Sequence, residues 1–456
     1  MTSFATPLIS PKRKSASLRN EPKKKLKRRD DDDDCVPEGI KNISPSQRPM
    51  NTRGKSKIKK YQQNQVLSFK TFSKNTTPAS AYALLKLFRL GYGIRFSDYQ
   101  NILEQCQATF SKLPNVSTLS QPSNGSYTVV VGDLHGQFYD LYDNILAKFG
   151  LPVDDSNPDF ISTGDSFLTS NGITGPFKDE IPELPLLFTS KVNYVFNGDF
   201  IDRGSFSVQT LCSLLVLALA FPNNVYLNRG NHESESCAFA YGYFDELSAK
   251  YPFSDAEKLK SLSTKMFSTL PLASVLPNYC FIVHGGVSAK TTTVDFIQSL
   301  KRLQSDDSLH RNVTNLLWSD PSDHGKQQRS SRGCGVKYGP PISREFVKSN
   351  NLYTIIRSHE FNEVGYDISQ GHDNRVVTVF SAPNYHMEYS KAAVLVIVDP
   401  DSKVEVSGLI PLDLGWSEPL RVFVHQYDGA NTPSEPQYFS VEKMLFLLES
   451  KSEDSF

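Results

Sequence analysis

The sequence lacks a long hydrophobic run and the cysteine patterns of disulfide-stabilised proteins. Its longest apolar run, residues 211–221, has 11 residues, well short of the ~20 that a membrane-spanning helix needs, so it predicts a buried helix and no membrane association. The N-terminus lacks the apolar stretch of a secretory signal. The six cysteines form no CxxC pair and have no regular spacing, which favours a reduced intracellular compartment.

The formal net charge of zero hides two segments of opposite charge. Through Lys60 the chain has 17 Lys and Arg against 7 Asp and Glu, a net charge of +10, so the remainder has 32 against 42, a net charge of −10. Residues 1–77 are rich in Lys, Ser, Pro and Asn without hydrophobic periodicity, which predicts a disordered arm. The overall composition, 39% hydrophobic and 21% charged over 456 residues, is that of a globular enzyme with a large core.

Two basic clusters lie in this arm, PKRK at residues 11–14 and KKKLKRR at residues 23–29. Together they have the form of a two-cluster nuclear import signal, which predicts importin binding and a nuclear location, with a cytoplasmic pool left open. The alternatives are a solvated charge run or a loose nucleic-acid-binding arm. The five acids at residues 30–34 would compete for the same lysines, which disfavours nucleic acid as a partner.

Short apolar segments alternate with helical periodicity in the rest of the chain. Apolar residues at helical spacing predict two helices in a lead-in segment, residues 78–125. Seven strands are predicted after it, at residues 128–131, 193–196, 225–227, 280–283, 354–356, 376–380 and 393–398. Helical segments lie between several of them, so the predicted fold class is an α/β sandwich of two sheets flanked by helices.

Six side chains that commonly ligate metals follow these strands directly. They are Asp133 and His135 in GDLHG, Asp199 in GDFIDRG, Asn231 in GNHE, His284 in HGG and His359 in RSHE. Carboxylate oxygen and imidazole nitrogen together suit manganese, iron or zinc, whereas magnesium or calcium alone would be expected to use oxygen throughout. Asp199 can bridge two divalent ions about 3.5–4 Å apart that hold and acidify one water. The pattern therefore predicts two divalent metal ions, Mn²⁺ and/or iron or zinc, and hydrolysis of a phosphate ester.

A longer set of motifs occurs in a fixed order: GDLHGQ, GDFIDRG, RGNHE, HGG, LLWSDP, SSRG, RSHE and SAPNY. This set resembles the signature of the phosphoprotein phosphatase family of metal-dependent serine/threonine phosphatases, and it is most similar to the tetratricopeptide-containing branch, although no such repeat is visible. The resemblance covers roughly residues 80–450. It implies phosphoprotein substrates and a calcineurin-like metallophosphoesterase β-sandwich over residues 126–405, followed by a C-terminal tail with a packing helix, residues 406–456.

The resemblance also implies roles for individual residues. Asp202 would orient His232, the general acid that protonates the leaving serine or threonine oxygen, while Arg203 and Arg332 would bind the phosphate. Tyr385 would lie near the phosphate, either as a hydrogen-bond donor or as a packed aromatic. The first metal would be held by Asp133, His135 and Asp199, and the second by Asp199, Asn231, His284 and His359. A hydroxide shared by the two ions would attack phosphorus directly, without a phosphoenzyme.

The chain departs from the family pattern in two places. An insertion at about residues 151–191 contains another GD, whose Asp165 is interpreted as a turn residue. The loop after Tyr385 reads HMEYS, and His386 there puts sensitivity to the family's toxin inhibitors in doubt. Two alternative functions stay open: a metallophosphoesterase acting on nucleotides or small phosphoesters, and a nuclear nucleic-acid-binding or adaptor protein. A monomer is the default expectation.

Overall fold

Two six-stranded β-sheets, each covered by helices on its outer face, form the core of the computed structural model. The structure describes residues 76–123, 125–153, 186–303, 311–385, 389–401, 407–415, 420–433 and 438. Residues from both sheets, among them Val130, Leu395, Ile282 and Ile356, form one buried cluster between them. The predicted α/β sandwich flanked by helices is therefore confirmed.

Sheet A combines parallel and antiparallel strands. Its order is Ile410–Pro411, Arg421–Tyr427, Ala392–Val398, Tyr127–Val131, Val192–Phe196 and Val225–Leu227. The last three strands are parallel to one another, whereas Ala392–Val398 pairs antiparallel with Tyr127–Val131 and with Arg421–Tyr427. All seven residues of Ala392–Val398 are buried. Alternate residues of that strand face the helices or the other sheet, which explains its uninterrupted apolar sequence.

Sheet B has a parallel centre. Its order is Val116–Thr118, Ala273–Leu276, Cys280–Val283, Thr354–Arg357, Val376–Val379 and Tyr366–Ile368. Cys280–Val283, Thr354–Arg357 and Val376–Val379 are parallel neighbours, so their carboxyl ends lie at one edge of the sheet. The parallel strands of sheet A likewise share one such edge.

Helices cover sheet A, and the first of them has a well-defined start. Its helices are Pro78–Arg89, Phe96–Phe110, Ser207–Ala220, Glu235–Tyr241, Tyr243–Lys250 and Phe253–Phe267. The side chain of Thr77 accepts the Ser80 amide, and Ser80 Oγ accepts the Thr77 amide in return, a reciprocal cap that fixes the first turn. The first two helices are the pair predicted in the lead-in, and the buried helix predicted at residues 211–221 lies almost wholly within Ser207–Ala220.

Sheet B is covered by shorter helices, and several small elements complete the fold. The helices over sheet B are Val294–Gln298, Arg311–Trp318 and Pro340–Ser349. A helical stretch after the first ligand motif consists of Phe138–Asp140, the π-helical Leu141–Leu146 and Ala147–Phe149. The remaining elements are the three-stranded sheet of Asp320–Pro321, Gln327–Arg329 and Val336–Tyr338, the pair Leu151–Pro152 and Phe188–Thr189, and the 3₁₀ turn Gln370–His372.

All seven predicted strands are present, with end points shifted by at most one residue. The predicted boundary at residue 405 falls inside sheet A, because Arg421–Tyr427 pairs along the whole length of Ala392–Val398. Residues 1–75, most of the insertion including Asp165, His386 and the predicted tail helix lie outside the described residues. Within the described part of the chain, no helix has the length and apolar character needed to cross a membrane.

Candidate active site

The predicted ligand residues converge where the carboxyl ends of the parallel strands of both sheets meet. Asp133 and His135 follow Tyr127–Val131, Asp199 follows Val192–Phe196, Asn231 follows Val225–Leu227, His284 follows Cys280–Val283 and His359 follows Thr354–Arg357. The two sheets are joined at this edge, since the His359 amide donates to Asp133 Oδ1 at 3.0 Å. All six side chains thus belong to one buried cluster.

Asp199 lies between two groups of nitrogen ligands. Its Oδ2 is 3.8 Å from His135 Nε2, and its Oδ1 is 3.3 Å from His284 Nε2. Two sets, one of His135, Asp199 and His232 and one of Asp199, His284 and His359, each bring three ligand atoms within 4.8 Å of one another. Asp199 is shared by both sets, as expected of a carboxylate that bridges two cations.

The backbone orients two of the histidines toward this centre. His284 Nδ1 is 2.8 Å from the carbonyl of Asn197, and His135 Nδ1 is 3.1 Å from that of Ile201. A carbonyl oxygen only accepts, so each Nδ1 bears the hydrogen and each Nε2 keeps a free lone pair in the neutral ring. His284 Nε2 faces Asn231 Oδ1 at 2.8 Å. Burial lowers the pKa of His284, but the charges of Asp199 and Asp133 raise it to about 9, so the ring is favoured with a proton on Nε2 that a bound cation would displace.

The third histidine of the cluster supports the same interpretation. His359 Nε2 is buried and has no hydrogen-bond partner among the residues that the structure describes. Burial and the charge of Arg332 lower the pKa of His359 well below its usual value. Burial and His232 do the same to the pKa of His135. Neutral imidazole is the form that binds metals, so the donor set fits transition-metal ions.

His232 forms a buried pair with Asp202. Its Nδ1 is 2.7 Å from Asp202 Oδ2, and the other oxygen of Asp202 accepts the Tyr243 amide at 3.0 Å. Burial alone lowers the pKa of His232, but the charges of Asp199 and Asp202 raise it above its usual value. The ring is therefore favoured in the protonated form. His232 Nε2 also lies 3.9 Å from Asp199 Oδ2, so geometry alone allows this nitrogen either to donate a proton or to bind a metal.

Arg203 is held against two aromatic rings. Its guanidinium carbon is 4.3 Å from the ring centroid of Tyr241 and 5.8 Å from that of Tyr385, distances typical of cation–π contacts. The Tyr385 ring in turn stacks on His135 with 4.9 Å between ring centroids. Burial raises the pKa of Tyr385, which keeps its hydroxyl protonated and able to donate. Tyr241 has no sequence signal of its own, since it is the last residue of the helix Glu235–Tyr241.

Arg332 is anchored by a carboxylate that it shares with a second arginine. Its Nε is 2.6 Å from Asp320 Oδ2, and its Nη2 is 3.4 Å from the carbonyl of His359. The other oxygen of Asp320 accepts from the fully buried Arg357 at 2.8 Å. Asp320, the acid of the LLWSDP motif, therefore fixes Arg332 beside the predicted ligand His359. The Arg332 side chain keeps 34% of its surface exposed and is accessible to a ligand.

The backbone of the site is strained at several of the predicted residues. Five of them adopt a positive φ, which non-glycine residues rarely do: His135 at 42°, Asp199 at 54°, Asp202 at 73°, Arg203 at 69° and His359 at 71°. Such conformations persist only where the surrounding structure enforces them, and they concentrate at functional sites.

Glu233, which sequence reasoning did not single out, supplies part of that enforcement. Its two carboxylate oxygens accept the amides of Asp199, Phe200 and Gly230 at 2.8, 2.8 and 2.9 Å. Burial and the charge of Asp199 raise the pKa of Glu233 to about 7, against the effect of the amides. A Cβ on Gly230 would lie 2.3 Å from the Asp199 nitrogen, so only glycine permits this close approach. The sequence signal that could have identified Glu233 is its position as the last residue of the GNHE motif.

Comparison with known proteins gives a consistent set of similarities. The family model described as calcineurin-like phosphoesterase matches residues 127–362. Serine/threonine-protein phosphatase 5 of Arabidopsis thaliana is 35% identical over 312 residues, covering 68% of this chain and 49% of that protein. The human protein of that name is 36% identical over 286 residues, covering 62% and 48%. The chain thus spans about half the length of these curated relatives.

A solved structure is also similar over most of the chain. It is a protein serine/threonine phosphatase from Saccharomyces cerevisiae, described as having similarity to human phosphatase PP5. The TM-score is 0.59 at 27% sequence identity, and the match covers 77% of this chain and 96% of that one.

Proposed function

Because the chain belongs to the calcineurin-like phosphoesterase family, we propose that it is a serine/threonine protein phosphatase acting on phosphoserine and phosphothreonine in proteins. The observation that carries the proposal is the position of Asp199 between two groups of metal-ligating side chains, with the His232–Asp202 pair beside it. Arg203 and Arg332 supply positive charge at the same centre. The names of the similar proteins favour protein substrates over nucleotides.

The donor set suits two divalent ions, Mn²⁺ and/or iron or zinc. Asp133, His135 and Asp199 would hold the first ion, and Asp199, Asn231, His284 and His359 would hold the second. When bound, such ions polarise the phosphoryl oxygens and lower the pKa of a water that they share.

The two arginines would bind the phosphoryl group of the substrate. Planar guanidinium groups donate paired hydrogen bonds to phosphate oxygens and offset the charge that develops as the transition state forms. Tyr241 supports Arg203 from one face, and Asp320 fixes Arg332, so both groups are preorganised. The Tyr385 hydroxyl would donate to the same phosphate.

His232 would deliver the proton that the leaving oxygen requires. The Asp202 carboxylate accepts Nδ1–H, so the proton available for transfer is on Nε2. In this proposal water is the nucleophile and no side chain is phosphorylated. The serine or threonine hydroxyl leaves with the proton of His232, and the ring recovers a proton from solvent.

A phosphoserine peptide with added Mn²⁺ tests the proposal. The parent protein should release phosphate, whereas Asp199→Asn and His232→Asn should lose nearly all turnover. Asp367→Asn, the same change on an exposed strand, is the matched control and should retain full activity. Equal turnover in the parent and both site variants would refute the proposal. A panel of nucleotides and a phosphodiester distinguishes a protein phosphatase from the alternative metallophosphoesterase. If these small substrates were hydrolysed faster than the phosphopeptide, they would replace phosphoproteins as the proposed substrate class.

The basic arm leads to a proposal about location. Two clusters of lysine and arginine at residues 11–14 and 23–29 support importin binding and a nuclear pool of the enzyme. Fusion of residues 1–60 to a fluorescent reporter should concentrate it in the nucleus, and replacing the second cluster by glutamine should abolish that. Tight, salt-sensitive DNA binding by the same segment would instead favour the nucleic-acid-binding alternative.

A further inference from the structure

The charged residues of the β-hairpin that presents Arg332 are all cationic. Its residues 326–339, here named the Arg332 hairpin, read KQQRSSRGCGVKYG and include Lys326, Arg329, Arg332 and Lys337 but no acid. The strands Gln327–Arg329 and Val336–Tyr338 pair antiparallel. All three residues of the first strand are exposed, and so are residues 331–333 in the turn. An exposed surface element of one charge sign therefore borders the candidate site.

Most of these positive charges have no carboxylate partner. Of the four, only Arg332 lies within 4.0 Å of a carboxylate oxygen in the described part of the chain, and that oxygen belongs to Asp320. Burial raises the pKa of Glu360, although the charges of Arg357, Arg332 and Lys337 oppose it. The carboxylate of Glu360 is paired with Arg357 at 2.7 Å. The charges of Lys326, Arg329 and Lys337 are thus available to an external anion.

A fifth cation lies beside the hairpin. The Gln327 side chain accepts the Ala289 amide at 2.8 Å, which fixes the neighbouring loop and its exposed Lys290 against the first strand. Like the three hairpin cations, Lys290 has no carboxylate within ion-pair distance among the residues that the structure places. The unpaired positive charge therefore extends past the hairpin to the neighbouring loop.

The hairpin cations are connected to the candidate site through Arg332, a proposed phosphate-binding residue. Arg332 lies in the hairpin turn and touches the carbonyl of the ligand His359. Arg329 is three residues before Arg332, so their Cα atoms are at most about 10 Å apart even if the chain between them is extended. In the strand pairing Lys337 is opposite Gln328, whereas Arg329 is opposite Val336. Lys337 and Arg329 therefore point to opposite faces of the hairpin, and its positive charge reaches both faces. An extended peptide whose phosphate binds Arg332 would place residues two to four positions away beside these cations.

We propose that the Arg332 hairpin binds acidic side chains flanking the phosphorylated residue, so that the enzyme selects phosphoserine and phosphothreonine in acidic sequences. The inference rests on the proposed phosphatase function and adds the substrate class. Unpaired surface cations attract an acidic peptide over roughly a Debye length, about 10 Å at 0.1 M salt. Binding on one side of the phosphate would make the preference directional along the peptide.

The inference is tested with three phosphoserine peptides of equal length, which carry three Glu, three Gln or three Lys residues on one side of the phosphoserine. p-Nitrophenyl phosphate serves as a substrate without flanking residues. At low salt kcat/KM for the Glu peptide should exceed that for the Gln peptide about tenfold, as expected from three weak surface ion pairs. The preference should shrink at high salt. A triple variant should lose the preference for the Glu peptide but hydrolyse p-nitrophenyl phosphate like the parent. Its substitutions are Lys326→Gln, Arg329→Gln and Lys337→Gln.

A matched control removes three exposed lysines from the helical side, Lys112→Gln, Lys265→Gln and Lys301→Gln, and should keep the preference. Glutamate at the three hairpin positions should reverse the peptide preference, so that the Lys peptide is hydrolysed faster than the Glu peptide.

Equal kcat/KM for the Glu and Gln peptides, or an unaltered preference in the hairpin variant, would overturn the inference and leave the phosphatase proposal standing. Hydrolysis of p-nitrophenyl phosphate but of no peptide would overturn both. Competition by a DNA duplex as strong as by the acidic peptide would identify a general polyanion site instead.

Discussion

The Nδ1 atom of His232 lies 2.7 Å from Asp202 Oδ2, and both side chains are buried. The carboxylate is fixed from a second direction, because its other oxygen accepts the Tyr243 amide. The backbone at Asp202 is itself in a positive-φ conformation, so the acid is rigidly placed. This pair sets both the orientation and the protonation of the imidazole that faces Asp199.

Asp202→Asn should lower kcat far more than it changes KM. The amide is uncharged, so the pKa of His232 falls and the ring loses the proton it is proposed to donate. Loss of a general acid costs typically about 10²–10⁴-fold in rate. Steady-state kinetics on a phosphoserine peptide would measure the effect, with Asp367→Asn as the control. A substrate with a better leaving group, such as p-nitrophenyl phosphate, should be less affected. An equal loss on both substrates would contradict the proton-donor role.

His232→Asn and His284→Asn should differ in metal content. In the proposed assignment His284 binds a metal and His232 does not, so only His284→Asn should reduce the ions bound per chain, while both should lose activity. Elemental analysis of the two purified variants measures this. If His232→Asn loses as much metal as His284→Asn, then His232 is a ligand in the set that it forms with His135 and Asp199.

Glu233→Gln should destabilise the fold and also lower activity. Glu233 accepts three backbone amides with its two carboxylate oxygens, whereas glutamine offers one oxygen and turns an NH₂ group toward an amide. A buried donor left without an acceptor costs about 1–3 kcal/mol. Thermal unfolding should therefore show a lower Tm, and kcat should fall because the Asp199 backbone relaxes. Glu345→Gln, on an exposed position of Pro340–Ser349, should change neither quantity.

The stability of the protein should depend on pH through Asp140. Burial raises the pKa of this carboxyl to about 7, while in the unfolded chain it is about 3.9. The folded state therefore binds the proton more tightly, so the stabilisation is complete below pH 4 and is lost as pH rises toward and through 7. Tm measured from pH 5 to 8 should fall more steeply in the parent than in Asp140→Asn, whose side chain does not titrate. Parallel curves would contradict this assignment.

The sequence predicted the framework and the ligand positions because both depend on local pattern. The seven predicted strands were apolar runs such as residues 393–398, and each ligand residue came directly after one of them. The family resemblance drawn from the motifs is confirmed by the match over residues 127–362. The convergence of Asp133 and His359 from different sheets follows once parallel strands share an edge.

Other features of the site depend on contacts that no local pattern encodes. The packing of Tyr241 on Arg203 joins the last residue of a helix to a residue of a separate loop. The role of Glu233 emerges only when three amides are brought to it. The strand Arg421–Tyr427 lies in the segment predicted as a tail, and its sequence, RVFVHQY, mixes charged, polar and apolar residues. Pairing with Ala392–Val398 decided its structure, since edge-side strands take their conformation from their neighbours.

The late position of that strand bears on how the protein folds during its synthesis. Ala392–Val398 lies inside sheet A, and one of its two neighbouring strands is Arg421–Tyr427, which is synthesised later. While the ribosome still holds residues 421–427, a nascent chain exposes a seven-residue apolar edge with unpaired amides and carbonyls, a template for cross-chain pairing. Translational stalling shortly before residue 421, or a premature stop codon there, would accordingly yield aggregates or chaperone-bound chains instead of a truncated enzyme.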